Sequence, residues 1–208
     1  MPLVYQQNIN LNSRLGLWHI REDQSFFIER GVLAKSINHP HKRMQTSAGR
    51  MLLAELYPGF PLNEVQIAPT RKPFLEGDSF HFSISHCDDY AAAIVSRSER
   101  VGVDIEVPQP KILALKDKFL SPHEQQIVHG SNDEMLLRFT MAWCMKEAVY
   151  KWYGLGKVDF RQHMPLARFS DTPNGYVGEI HFKKEVQQVL MVNGLLVNGN
   201  CLAWVTSG

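Results

Sequence analysis

Val101-Gly102-Val103-Asp104-Ile105-Glu106-Val107 alternates with the period of a strand. Val101, Val103, Ile105 and Val107 fall on one face, and Gly102, Asp104 and Glu106 on the other. An apolar face thus anchors an acidic one. A half-buried antiparallel strand with its polar side in water would read the same way, so this D-x-E is weak alone. Its neighbours make it decisive for the fold. Upstream, the pattern predicts a strand over residues 15–21, a helix over 47–57 and strands over 80–85 and 91–96. Downstream comes Pro108-Gln109-Pro110, a natural hinge.

Beyond the hinge the order reverses. Ser121-Pro122-His123-Glu124 has the cap, first-turn proline and reciprocal glutamate of a helix start. A long helix over about 132–153 follows, then strands over 176–183, 186–192 and 201–206. The last two bracket the turn-rich Asn193-Gly194 and Asn198-Gly199. Both halves mix helices with antiparallel strands, so the expected class is α+β, with subdomains 1–107 and 108–208.

On the long helix, Leu136, Phe139, Thr140, Trp143, Glu147 and Lys151 recur at spacings of three and four and share one stripe. The stripe turns from apolar to charged after Trp143. A Glu–Lys pair at i, i+4 is ordinary surface decoration, but this one continues a core-facing stripe, which suits a site at the edge of the core. Magnesium takes oxygen ligands from carboxylates, waters and substrate phosphates. Asp104, Glu106 and Glu147 could supply the carboxylates, with Lys151 neutralising charge that builds on a leaving phosphate.

The 208 residues are 44% hydrophobic and 21% charged, enough for one generous or two small packed domains. A formal charge of +1 gives no overall field to recruit nucleic acid or anionic lipid. Three cysteines, Cys87, Cys144 and Cys201, have no metal-binding spacing and fit a reducing compartment. With no secretory-signal pattern at the start and no membrane-length apolar run, the expected location is the cytoplasm.

Other segments carry weaker signals. Arg71-Lys72-Pro73-Phe74 reads as a turn that could present Lys72 to a phosphate. In Ser83-Ile84-Ser85-His86, neighbouring strand residues point to opposite faces, which argues against a Ser85–His86 nucleophilic pair. His86 there suits a phosphate contact, a general base or a structural histidine. His39-Pro40-His41-Lys42-Arg43 reads as a solvated loop rather than a metal cluster, with Arg43 and Arg50 as candidate phosphate contacts. Gly154-Leu155-Gly156-Lys157 fits a helix C-terminal cap and lacks the rest of a nucleotide loop.

Taken in order, Lys72-Pro73-Phe74, Phe82-Ser83-Ile84-Ser85-His86, Gly102-Val103-Asp104-Ile105-Glu106, Phe119-Leu120-Ser121-Pro122-His123-Glu124, and Trp143-Cys144-Met145-Lys146-Glu147-Ala148 with Lys151, Gly154 and Gly156 resemble the Sfp-type 4′-phosphopantetheinyl transferases. The G-x-D-I-E and W-x-x-K-E-A-x-x-K pair, about 40 residues apart, is specific where either alone is not. The resemblance implies an enzyme that moves the phosphopantetheine arm of coenzyme A to a serine of an acyl, peptidyl or aryl carrier protein. The reaction would need magnesium and release 3′,5′-ADP. It also implies a monomeric pseudodimer of two similar halves with the active site at their junction. By the same resemblance Asp104, Glu106 and Glu147 bind magnesium, and Lys151 contacts the phosphate that gains charge. Lys72 and His86 hold coenzyme phosphates, and Ser85 helps seat the coenzyme. The base is Glu147 or a metal-bound water. This chain departs from the family at Ser83, where Asn is usual, and at Cys87, where Ser is usual. Two other readings remain open from the residues: a non-catalytic coenzyme A or carrier-binding module, and another magnesium-dependent phosphotransfer enzyme.

Overall fold

A computed structural model describes residues 3–207. The chain forms two compact units that divide between Val101 and Gly102. In the first, β1 (Leu3–Asn8), β2 (Ser13–His19), β5 (His81–Cys87) and β6 (Tyr90–Ser96) form an antiparallel sheet in the order β1-β2-β6-β5. A two-stranded ribbon of β3 (Gln66–Ile67) and β4 (Pro73–Phe74) forms a separate small sheet. Two helices complete the unit, α1 (Gln24–Glu29) and α2 (Pro40–Leu56). The α2 residues Ala48, Leu52, Leu53 and Leu56 share a core with Ala91, Ala93 and Val95 of β6.

The helix α2 starts earlier than its apolar pattern suggested. His39 caps it by accepting from the Lys42 backbone N–H, and Pro40 stands in the first turn, where its missing N–H costs nothing. Residues 40–43 are therefore a helix start, not a solvated loop. Strand β1 and helix α1 escaped the sequence pattern. In β1 the second half is all polar and most positions are exposed, while α1 is a short helix capped by Asp23.

The second unit is built around a longer helix. After β7 (Arg100–Glu106), helices α3 (Lys111–Phe119), α4 (Pro122–Val128) and α5 (Asn132–Tyr153) precede β8 (Leu166–Thr172), β9 (Gly175–Lys183), β10 (Gln187–Val197) and β11 (Asn200–Ser207). The sheet order is β7-β11-β10-β9-β8. The hydrogen bonds of β7 to β11 explain why the units divide at Val101 rather than at Pro108. The expected capping box on α4 forms between Ser121 and Glu124, and α5 ends at Gly154 with a left-handed φ of 76°, where glycine avoids the Cβ penalty.

One face of α5, including Met141, Cys144, Met145, Ala148, Val149 and Trp152, is buried in the same core as Ile180, Val192, Cys201, Ala203 and Val205 of the sheet. Two expectations for this unit change. Asn193-Gly194 is not a turn, because it pairs within β10 against Trp204 and Ala203. Strand β8 was hidden by its mixture of polar and apolar residues. Among the described residues, no helix is long and apolar enough to cross a membrane.

Candidate functional site

The contact between β7 and α5 sets the geometry of the acidic cluster. A Cβ on Gly102 would overlap the carbonyl oxygen of Ala148 and lie 2.7 Å from the backbone nitrogen of Trp152. Only glycine lets the strand approach the helix this closely. The strand's alternation turns Asp104 and Glu106 to the same side as Gly102, where Glu147 and Lys151 run along the helix flank. The stripe from Leu136 to Lys151 is partly buried at Trp143, Glu147 and Lys151, as expected of a border between core and surface.

Asp104 is only 4% exposed, and its Oδ1 accepts a hydrogen bond from Lys151 Nζ at 2.6 Å. Burial and the neighbouring charge of Asp104 raise the pKa of Glu106, against the opposing effects of a hydrogen bond from Trp143 and the charges of Lys111 and Lys151. Burial, reinforced by Asp104 and then Glu106 and opposed by Lys151, pushes Glu147 up to about 7. All four groups therefore feel one another's charge. With every carboxyl ionised, three negative charges face one lysine.

That surplus, in oxygen donors alone, fits a hard divalent cation. Among the described residues, no three His, Cys, Asp or Glu side chains are drawn into a closed metal-holding group; the partner at Asp104 Oδ1 is Lys151. The charge balance, rather than a finished ligand shell, is what these residues present.

The remaining candidates lie in the first unit. Lys72 sits in the expected turn: its carbonyl accepts from Ala68, and Arg71 adopts a left-handed φ of 67°. Burial, aided by the charge of Arg100, lowers the Lys72 pKa to about 8, an environment that a bound anion would relieve. On β5, Ser85 is buried and His86 exposed, consistent with opposite faces. Arg43 has a structural task, since its guanidinium donates to the carbonyls of Ile37 and Asn38 and to Gln24 Oε1. Arg50 lines a cleft of about 430 Å³ whose wall includes Phe60, Pro61 and Leu62.

Sequence patterns missed the interior behind the acidic cluster. Lys146, fully buried, donates to Glu124 Oε1, to Phe119 O at 2.7 Å and to Phe160 O at 3.0 Å. The signal was a lysine between Met145 and Glu147 on a helix whose neighbours are core residues. Trp143 packs edge-on against Phe119 and stacks on Phe160 at 5.0 and 5.5 Å between ring centres. Phe160 lies in a loop that no periodicity marks.

Residues 100–190, which carry the whole acidic cluster, match the family model of the 4′-phosphopantetheinyl transferase superfamily. Over these residues the chain is similar to that superfamily. Among similar proteins, enterobactin synthase component D of Salmonella typhi is 38% identical over 125 residues, covering 54% of this chain and 53% of the relative. The 4′-phosphopantetheinyl transferase psf-1 of Bacillus pumilus is 30% identical over 126 residues, or 55% and 54% of the two chains. The 4′-phosphopantetheinyl transferase HetI of a Nostoc species is 27% identical over 169 residues, or 70% and 71%. The chain spans about half the length of the first two relatives. Asp104, Glu106, Glu147 and Lys151 all stand within the superfamily segment, as do Glu124 and Lys146.

Proposed function

We propose that this protein is a 4′-phosphopantetheinyl transferase, moving the phosphopantetheine arm of coenzyme A to a serine of an apo acyl, peptidyl or aryl carrier protein. The observation that carries this reading is the charge-coupled set Asp104, Glu106, Glu147 and Lys151 inside a superfamily segment. The two units, each with a long helix on an antiparallel sheet, are read as the two halves of the family's repeat.

Asp104, Glu106 and Glu147 would hold magnesium, which when bound would draw charge from the diphosphate of coenzyme A. Glu147 is assigned to take the serine proton; the lift of its carboxyl to about 7 holds before a cation binds, and a bound cation would draw it down. In the reaction the carrier serine gives that proton to Glu147, and its Oγ forms a bond to the phosphorus that bears pantetheine. The bond from that phosphorus to the bridging oxygen breaks, and 3′,5′-ADP leaves with the oxygen and the electron pair. Lys151 would meet the charge that gathers on the departing 5′-phosphate of 3′,5′-ADP. Lys72, Ser85 and His86 are assigned to seating the coenzyme, and Arg50 is kept as a candidate phosphate contact. The site of action is taken to be the cytoplasm and the working form a monomer.

The test is to incubate the protein with coenzyme A, magnesium and a panel of apo-carrier proteins. One carrier at least should gain the mass of a phosphopantetheine arm. No gain with any carrier, from folded protein, would reject the assignment.

A further inference from the structure

We propose that the buried Lys146–Glu124 pair is a positioning device for the acidic cluster, fixing the rotation of α5 and the seat of Trp143 so that Glu147 and Glu106 address one cation. The proposal rests on reading that cluster as a metal site.

The three N–H donors of Lys146 meet three acceptors, and Glu124 is equally engaged. Its Oε1 also accepts from the Leu166 backbone N–H at 2.7 Å, and its Oε2 accepts from Ser121 N–H at 2.6 Å. The end of α3, the start of α4, the loop holding Phe160 and the start of β8 are thus tied to one point on α5. Stability alone is a poor reason for such a pair, because apolar residues of similar volume usually do as well or better in a core. What the pair supplies is direction. Glu147 is the next residue along, turned about 100° around the helix. A rotation of α5 by about 20° would carry a carboxylate roughly 6 Å from the helix axis through about 2 Å, well beyond the ~0.5 Å within which a working site must be held.

A second path runs through Phe160. Its carbonyl is held by Lys146, its ring stacks on Trp143, and Trp143 hydrogen-bonds to Glu106. One buried ammonium therefore governs a carboxylate on α5 and a carboxylate on β7. Lys146 and Glu124 touch neither substrate nor metal in this scheme. They are positioning residues.

The decisive measurement is Mn²⁺ binding to the full chain by electron paramagnetic resonance, alongside thermal unfolding. Lys146→Met with Glu124→Leu removes both charges without stranding one, although the Phe119 and Phe160 carbonyls and the Ser121 and Leu166 N–H groups lose these partners. The double variant should therefore unfold at a lower temperature than the wild type and, assayed while still folded, should lose about tenfold or more in Mn²⁺ affinity, as supporting residues behind metal ligands do. Phe160→Leu leaves the ion pair intact and should weaken Mn²⁺ through Trp143. Its effect should be smaller than additive in the triple variant, because both changes act on one path. Carrier modification should fall in kcat with KM for coenzyme A little changed. A folded double variant, or Phe160→Leu alone, binding Mn²⁺ like the wild type would overturn the proposal. Absence of Mn²⁺ binding by the wild type would instead overturn the metal-site reading beneath it.

Discussion

Replacing Glu147 by Gln should make the metal-free protein more stable while destroying its function. Burial and two neighbouring carboxylates raise the folded-state pKa of Glu147 from 4.5 to about 7. The unfolded chain therefore ionises this group first as pH rises, and the folded state loses stability across the interval between those values. The full penalty, reached above pH 7, is roughly 3 kcal/mol at about 1.36 kcal/mol per unit of pKa. At about pH 5.5 close to half of it is already present, so the gap favouring Glu147→Gln should widen by about 2 kcal/mol between pH 5.5 and pH 8. For a chain of this size that is about 4 to 8 °C in Tm. Thermal melts in chelator at the two pH values measure the gap, and repeating them with magnesium should stabilise the wild type far more than the variant. A gap that does not grow with pH, or equal stabilisation of both proteins by magnesium, would refute the electrostatic account of the cluster.

Gly102→Ala should force β7 and α5 apart, because its methyl would overlap the Ala148 carbonyl. We expect a loss of about 2 kcal/mol or more, visible in denaturant melts, together with weaker Mn²⁺ binding. Ser121→Ala removes the capping hydroxyl that accepts from Glu124 N–H and should cost about 1 kcal/mol by the same melts. Lys72, lowered to about 8 by burial and Arg100, carries the opposite pH signature to Glu147. Its charged form burdens the fold below pH 8, and that burden disappears as pH climbs toward the ordinary lysine value of 10.5. Lys72→Met should therefore stabilise the free protein at neutral pH by an amount that shrinks with alkalinity. Coenzyme A affinity of the wild type, followed by calorimetry, should fall above about pH 8 as the ammonium is lost; affinity flat to pH 10 would remove Lys72 from the site.

Local patterns were enough to define the α+β class, the alternation of β7, the boxed start of α4 and the extent of α5, because each depends on residues a few positions apart. The same was true of the acidic candidates, whose identity and spacing are matters of strand and helix period. Patterns failed where an element owes its existence to distant partners. The mostly exposed β1 is a strand because β2 pairs with it, and β10 runs through Asn193-Gly194 because β11 hydrogen-bonds across it.

Tertiary structure alone decided why Gly102 must be glycine, since the obstacle is a carbonyl 46 residues away. It alone turned Glu124 from a helix cap into the partner of a fully buried lysine. Sequence determines which charges a chain owns and which face of a helix or strand they occupy. How strongly those charges are desolvated, and which others they meet, depends on elements packed from remote parts of the chain, and that is what sets the protonation of Glu147 and the direction in which it points.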